Sequence, residues 1–436
     1  MSKTLVLFFS LFFTLVHATG CVDWPADVLQ PVENSKTHQL APDYGIYWFK
    51  MSGDKQLVAK AFLPPTLEPQ FSNGELNQLP AHETIEQARL ARILALEQQG
   101  FFDPTKPTII FIHGVQTTET IRHHRFDFCY QFPEPSGAMS PVYDALPFWK
   151  DWNVGVFYWN QFADVQHMGF LKLDAIIAPE TRIYNSAGSD GMDWVYLDKQ
   201  GALATCTESD KHCMVMPKNA LGKSYTISEL AFLAFKNAIP DNYHQPLRIA
   251  GFSLGNQIAI LLTREITQHP NLLQPSQLIL LDPYFTPNFY KINIGDRKVA
   301  IAPYNKEQID YILATNHHLA LSFYRSSTVS SGLLGDLNLP LQQESAYLRV
   351  CPVYLDHLKS DEVKKLRHLT GLYYYFYSKR FSALFDDSSR EAFAKSYPGA
   401  NSLTTQIKAL MGQSRVCNLN NFGQGCQGVV ALRDCN

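Results

Sequence analysis

Charge is scarce in this sequence: Asp, Glu, Lys and Arg together make up 18% of its 436 residues, and the formal net charge is -3. No long run of lysine and arginine occurs anywhere. Without a basic stripe to neutralise phosphates, DNA and RNA are not expected partners. The cysteines never form a CxxC pair, which argues against a structural zinc site. Asn-x-Ser/Thr acceptors are missing, so glycosylation says nothing about compartment. Internal repeats and low-complexity tracts are missing too. The apolar run from Leu5 to Val16 falls short of the roughly 20 residues that a membrane span takes.

Hydrophobic residues, by contrast, reach 46%. A chain of this length and composition is globular and fills a substantial core, as one large decorated domain or two ordinary ones. The start, "MSKTLVLFFSLFFTLVHATGC", combines an early lysine, a short apolar run and small residues at Ala18 to Gly20. That is a secretory signal over residues 1–20. Cleavage after Ala18 leaves a soluble secreted or periplasmic protein, whereas cleavage just before Cys21 opens the alternative of a lipid anchor on Cys21. The eight cysteines favour the first, because their even number allows up to four disulfides in an oxidising compartment and lipidation would leave seven.

Runs rich in β-branched and aromatic residues alternate with helical patterns. Tyr44 to Lys50 and Gln56 to Leu63, separated by "SGD", predict a hairpin. Glu83 to Gln98 predicts a helix that stops at Gly100. "TIIFIHG", "NVGVFYW" (Asn153 to Trp159), "LRIAGF" (Leu247 to Phe252) and "QLILLD" (Gln277 to Asp282) predict strands buried on both faces, and "IDYILAT" (Ile309 to Thr315) predicts another. Helices are expected over Thr226 to Ile239 and Leu254 to Gln268. The class is therefore α/β, with a mainly parallel central sheet covered by helices on both faces. The main domain is expected over residues 21–395, interrupted at 161–225 by a lid-like insertion or a pinned surface loop. A small Cys-rich extension is expected over 396–436.

One motif carries chemistry. "GFSLG" places Ser253 between two glycines where a strand gives way to a helix, as a nucleophile elbow requires. The helix N-terminus offers unpaired amides to an anion, so the Leu254 N–H supplies one half of an oxyanion hole. "FIHGVQTT" supplies the other half, the Val115 N–H, just beyond His113 and Gly114. A serine hydroxyl needs a base and an acid that orients it. Asp282 is the clearest acid: it ends an apolar strand, and Pro283 blocks continuation of the ladder.

The set "FIHG", "NVGVFYW", "GFSLGNQIA" and "LILLDPYFTP" resembles the pancreatic-type lipase family of α/β hydrolases. That family reads approximately as a strand ending HG, a strand ending in aspartate-tryptophan, GHSLGAH, and LDPA followed by a proline. The similarity spans roughly Pro107 to Ser378 in order, with 161–225 unmatched. It implies the α/β-hydrolase fold, a Ser-Asp-His triad, carboxylic ester substrates met at a lipid interface, and no cofactor. It also implies a histidine followed by leucine, by tyrosine seven positions on and by serine at ten. "HLTGLYYYFYS" reproduces this from His368, through Leu369, Tyr375 and Ser378. His357 in "DHLKS" is the alternative base, and His317 and His318 remain open. Phe252 replaces the histidine of GHSLG, and "HGV" stands where "HGF" is usual. Both departures bear on substrate rather than on the triad.

Other readings stay beside this one. A non-catalytic binding protein could keep the fold, although it has no use for a serine on a strained turn. A peptidase or thioesterase could use the same triad. His123, His124, Asp127 and Cys129 adjoin, but consecutive histidines diverge on any regular element, so no metal is expected there. The aromatic run Tyr373 to Tyr377 is expected to pack behind the histidine rather than to touch a membrane.

Overall fold

The computed structural model describes residues 21–24, 32–34, 38–63, 82–115, 125–164, 173–186, 193–206, 210–213, 224–328, 335–358, 360–381 and 398–419. The expected signal segment, His123, His124, Cys426 and Cys435 lie outside the described residues.

The mainly parallel α/β sheet expected from the sequence is present. Ten strands make it: β1 (Val22–Asp23), β2 (Gly45–Ser52), β3 (Lys55–Lys60), β4 (Thr108–Ile112), β5 (Asn153–Tyr158), β6 (Leu247–Phe252), β7 (Gln277–Leu281), β8 (Ala320–Arg325), β9 (Ala346–Cys351) and β10 (Ser414–Asn418). Their order across the sheet is β1-β3-β2-β5-β4-β6-β7-β8-β9-β10. From β5 to β10 every neighbour is parallel, and only β2 runs against its neighbours β5 and β3. The predicted hairpin is β2 and β3, turning at Gly53.

Seven helices are used below: α1 (His82–Gln98), α2 (Leu173–Tyr184), α3 (Ile227–Ala238), α4 (Gly255–Gln268), α5 (Ile301–Thr315), α6 (Ser360–Tyr377) and α7 (Thr404–Leu410). Strand residues alternate between two cores, as a period of two dictates. In β4, Ile110 and Ile112 join the core beneath α3, α4 and α5, whereas Ile109 and Phe111 join the core beneath α6. Both faces are thus covered, which is why β4 to β7 read as unbroken apolar runs. The aromatic run Tyr373–Tyr377 is buried in the second core. Helix α3 starts at a capping box between Thr226 and Glu229.

One stretch differs from expectation. Ile309–Thr315 is not a strand but the last two turns of α5. Ile301, Asn305, Ile309 and Ile312 are its buried stripe, and a short apolar run cannot by itself distinguish strand from helix. The C-terminal extension, described up to Leu419, packs against the sheet. Strand β10 closes the sheet beside β9, and the Arg248 guanidinium donates to the Ala400 and Ser402 carbonyls at 2.7 and 2.9 Å.

The 161–225 interval contributes α2 and a hairpin, Trp194–Leu197 with Leu203–Cys206. Tyr184, Trp194, Cys206 and Cys213 pack into the first core. Disulfides join Cys21 to Cys129 and Cys206 to Cys213, and Cys351 and Cys417 are disulfide-bonded as well. No free cysteine occurs among the described residues. These bonds point to an oxidising compartment. The Cys21 sulfur, which the lipid-anchor alternative would use, is bonded to Cys129. Among the described residues no helix is long and apolar enough to cross a membrane.

Candidate functional site

Strand β6 ends at Phe252, and α4 begins at Gly255. Between them Ser253 has φ +54°, a left-handed conformation that non-glycine residues rarely adopt and that costs of order 1–3 kcal/mol. The surroundings impose it. A Cβ on Gly255 would lie 2.3 Å from the carbonyl oxygens of both Ile112 and His113, so α4 crosses the end of β4 closer than any side chain permits. A Cβ on Gly114 would lie 2.6 Å from Ser253 Cβ. The loop after β4 therefore rests directly on the serine.

That loop carries the first of the two expected amides. Among the described residues, neither the Val115 N–H nor the Leu254 N–H donates a hydrogen bond, although Leu254 is fully buried. His113 fixes the loop from behind. Its Nδ1 donates to the Gly114 carbonyl at 2.8 Å, and its Nε2 accepts the Trp159 N–H at 3.0 Å. Burial pushes its pKa down to about 3, so the ring is neutral and its Nε2 keeps a lone pair for Trp159. The Trp159 indole returns a bond to the His113 carbonyl at 2.8 Å.

The expected acid and the first of the expected bases meet on the other side of the turn. Asp282 follows β7 with φ +40°, and its Oδ2 accepts His368 Nδ1 at 2.5 Å. Oδ2 also accepts the Ser327 hydroxyl, and Oδ1 accepts the Ser326 and Ser327 amides at 2.9 and 3.2 Å. Burial alone would raise the carboxyl pKa, but the bond and charge of His368, with the Ser327 and Ser326 donors, more than offset it and hold the group below its ordinary range. His368 lies inside α6, 5% exposed, with its ring 4.7 Å from that of Phe252. Phe252, the departure from GHSLG, thus forms a wall of the imidazole.

The other histidines are elsewhere. His357 is exposed in the turn before α6. His317 and His318 are exposed just before β8 begins, at the sheet edge opposite the one where β6 and β7 deliver Ser253 and Asp282. Ser253 and His368 reach the same edge, yet among the described residues no hydrogen bond joins Ser253 Oγ to the imidazole.

Sequence reasoning missed Asn256, Ser326 and Ser327. Asn256 donates to the carbonyls of Ser253 and Leu281 and accepts the Leu281 N–H, all at 3.0 Å, so it fastens the elbow to the strand that carries the acid. The signal available was "SS" directly after the apolar strand "ALSFYR", two short donors at the edge where parallel sheets hold their ligands. Glu180 on α2 was missed too. It is fully buried and accepts Gln257 Nε2 of α4 at 2.6 Å and the Thr286 amide at 3.2 Å.

Two groups, Cys21 with Cys129 and Asp144, and Cys206 with His212 and Cys213, bring ligand-type atoms within 4.8 Å. Both contain a disulfide, and a metal needs the thiolate. Asp127, from the cluster weighed above, instead accepts the Cys129 amide at 2.9 Å.

No family model matches the chain. No curated protein matches it. Among solved structures, it is similar to one titled "Crystal Structure of TT1662 from Thermus thermophilus", at 13% identity and a TM-score of 0.25, over 56% of this chain and 78% of that one.

Proposed function

We propose that this protein is a secreted or periplasmic serine hydrolase that cleaves carboxylic esters, with lipid esters as its substrate class. The observation that carries this reading is Ser253 at φ +54° on a strand-to-helix turn, at the same sheet edge as the hydrogen-bonded pair Asp282 and His368. A turn strained in this way has a use when the residue must stand clear of its own backbone.

In this mechanism Ser253 Oγ attacks the ester carbonyl while His368 Nε2 takes its proton. Asp282 accepts Nδ1–H, selects the tautomer that leaves Nε2 basic, and stabilises the imidazolium that forms. The Val115 and Leu254 amides receive the oxyanion; losing one such donor typically costs about 3–4 kcal/mol of transition-state stabilisation. His368 then protonates the leaving alcohol, and water resolves the acyl-enzyme by the same route. Every step is served by side chains and amides of the chain. Helix α2 touches both the elbow helix and the loop after Asp282 through Glu180, so the 161–225 interval is the expected wall of the substrate site.

The test is covalent labelling with a fluorophosphonate probe. Wild-type protein should take up one label, and Ser253→Ala should take up none. Folded wild-type protein that stays unlabelled overturns the hydrolase reading, and equal labelling of the variant overturns Ser253. A panel of short-chain esters, long-chain esters, thioesters and peptides then identifies the acyl donor.

A further inference from the structure

Asp282 carries more partners than a triad acid needs for its histidine. Its Oδ2 is shared by His368 Nδ1 and the Ser327 hydroxyl, and Ser327 Oγ lies 3.4 Å from that same Nδ1. Its Oδ1 takes the two consecutive amides of Ser326 and Ser327. Ser326 also reaches the base's helix: its Oγ accepts the Gly371 N–H at 2.8 Å and donates to the His368 carbonyl at 3.5 Å. Four donors thus surround a carboxylate only 3% exposed. Three come from the two residues that leave β8.

We propose that Ser327 is a positioning residue for this reaction: its hydroxyl pins Asp282 Oδ2 in the rotation that meets His368 Nδ1, and Ser326 couples the same turn to α6. The inference rests on the serine hydrolase reading and adds a residue to it. A carboxylate is free to turn about its last bond unless both oxygens are held. The two amides hold Oδ1, and the Ser327 hydroxyl and His368 hold Oδ2. Without that hydroxyl only the imidazole would hold Oδ2, the oxygen that is meant to orient it. Burial would also favour the protonated acid, which no longer draws Nδ1–H towards it.

The rate constant for fluorophosphonate labelling of Ser253 reads this directly and needs no knowledge of the substrate. Ser327→Ala and Ser327→Val should label about ten- to a hundredfold more slowly than wild type, the range expected for loss of a hydrogen bond to a charged group. Ser327→Thr, which differs from the Val variant only in keeping the hydroxyl, should stay within about threefold of wild type. In an Asp282→Ala background the Ser327→Ala change should have no further effect, because its target is gone. Labelling of folded Ser327→Val at the wild-type rate, or an undiminished effect without Asp282, overturns the role of Ser327. Neither result touches the hydrolase reading, which falls only if wild-type protein fails to label. Ser327→Cys, close in size but only a weak donor, covers the case in which the hydroxyl-free variants do not fold. It should label at least about threefold more slowly than wild type, and labelling at the wild-type rate overturns the role of Ser327.

Discussion

Asn256 grips Leu281 by both of its backbone polar groups, accepting the N–H and donating to the carbonyl, each at 3.0 Å. Leu281 immediately precedes Asp282, and Asn256 lies three residues beyond Ser253. This side chain therefore reinforces the backbone bond from the Ser253 N–H to the Leu281 carbonyl, 3.2 Å, in fixing the spacing between the proposed nucleophile and the proposed acid. Geometry of this kind belongs to the sheet edge rather than to the loops around it.

Replacing Asn256 with alanine should remove three buried hydrogen bonds, those to the Ser253 and Leu281 carbonyls and that from the Leu281 N–H, at a cost of about 1–3 kcal/mol. The urea midpoint should fall while the slope of the transition stays that of wild type. Labelling of Ser253 should slow as well, because the acid loses its register with the elbow. A stable variant with slowed labelling would assign Asn256 to geometry alone, whereas no change in either readout would remove it from the site.

The choice between the two candidate bases is testable in the same assay. His368→Ala should reduce labelling and ester turnover on the order of a thousandfold or more, since residues of a triad act as a unit. His357→Ala should remain within about twofold, as expected for an exposed residue outside the Asp282 pair. Loss of activity in His357→Ala with retention in His368→Ala would reverse the assignment.

Strands β4 to β7, with α3 and α4, were legible because burial on both faces writes uninterrupted apolar runs and because turns need glycine. The candidate site was legible where chemistry and backbone coincide: Ser253 has glycines beside it, and Asp282 ends a strand. His368 was singled out only through the spacing of Leu369, Tyr375 and Ser378 in a resemblance, since an isolated histidine inside an aromatic helix has no local signature. Asn256, Ser326, Ser327 and Glu180 act through contacts far apart in sequence, between residues common in turns and helices. The helix at Ile309–Thr315 was misread because its half-buried stripe concentrates the apolar residues near its end.

Gly255 provides a steric test of the elbow. Its absent Cβ would meet two backbone carbonyls at 2.3 Å, and neither can retreat without moving β4. Gly255→Ala should therefore cost more than about 3 kcal/mol or prevent folding, at the severe end for a single substitution. Gly201 is the control, with φ +74° and open space around its Cβ position. Alanine there carries only the left-handed penalty, roughly 1–2 kcal/mol. Equal stability of the two variants in urea titrations would mean that α4 does not cross β4 so closely.

Glu180 gives the protein a dependence on pH with a definite sign. Burial pushes its pKa up to about 7 from 4.5, and the bonds from Gln257 and Thr286 offset only part of the shift. Tyr184 and Tyr284, which face it, are themselves pushed up and stay neutral over this range. The folded state therefore holds a proton that the unfolded chain releases. The contribution is fully present below pH 4.5 and is lost as pH rises through 7, on the order of 3 kcal/mol over that window at 1.36 kcal/mol per unit. His113 acts in the opposite sense: its lowered pKa gives stability that is present above pH 6.5 and is lost as pH falls towards 3. The two windows overlap, so the wild-type profile alone conceals both. Comparison with Glu180→Gln separates them, because the substitution removes one titration and leaves the other. The stability of wild type minus that of Glu180→Gln should fall between pH 4.5 and 7 and level off above. A difference that stays flat across that range would show that Glu180 ionises without opposition from its burial, and that α2 packs on the elbow helix less tightly than its contacts imply.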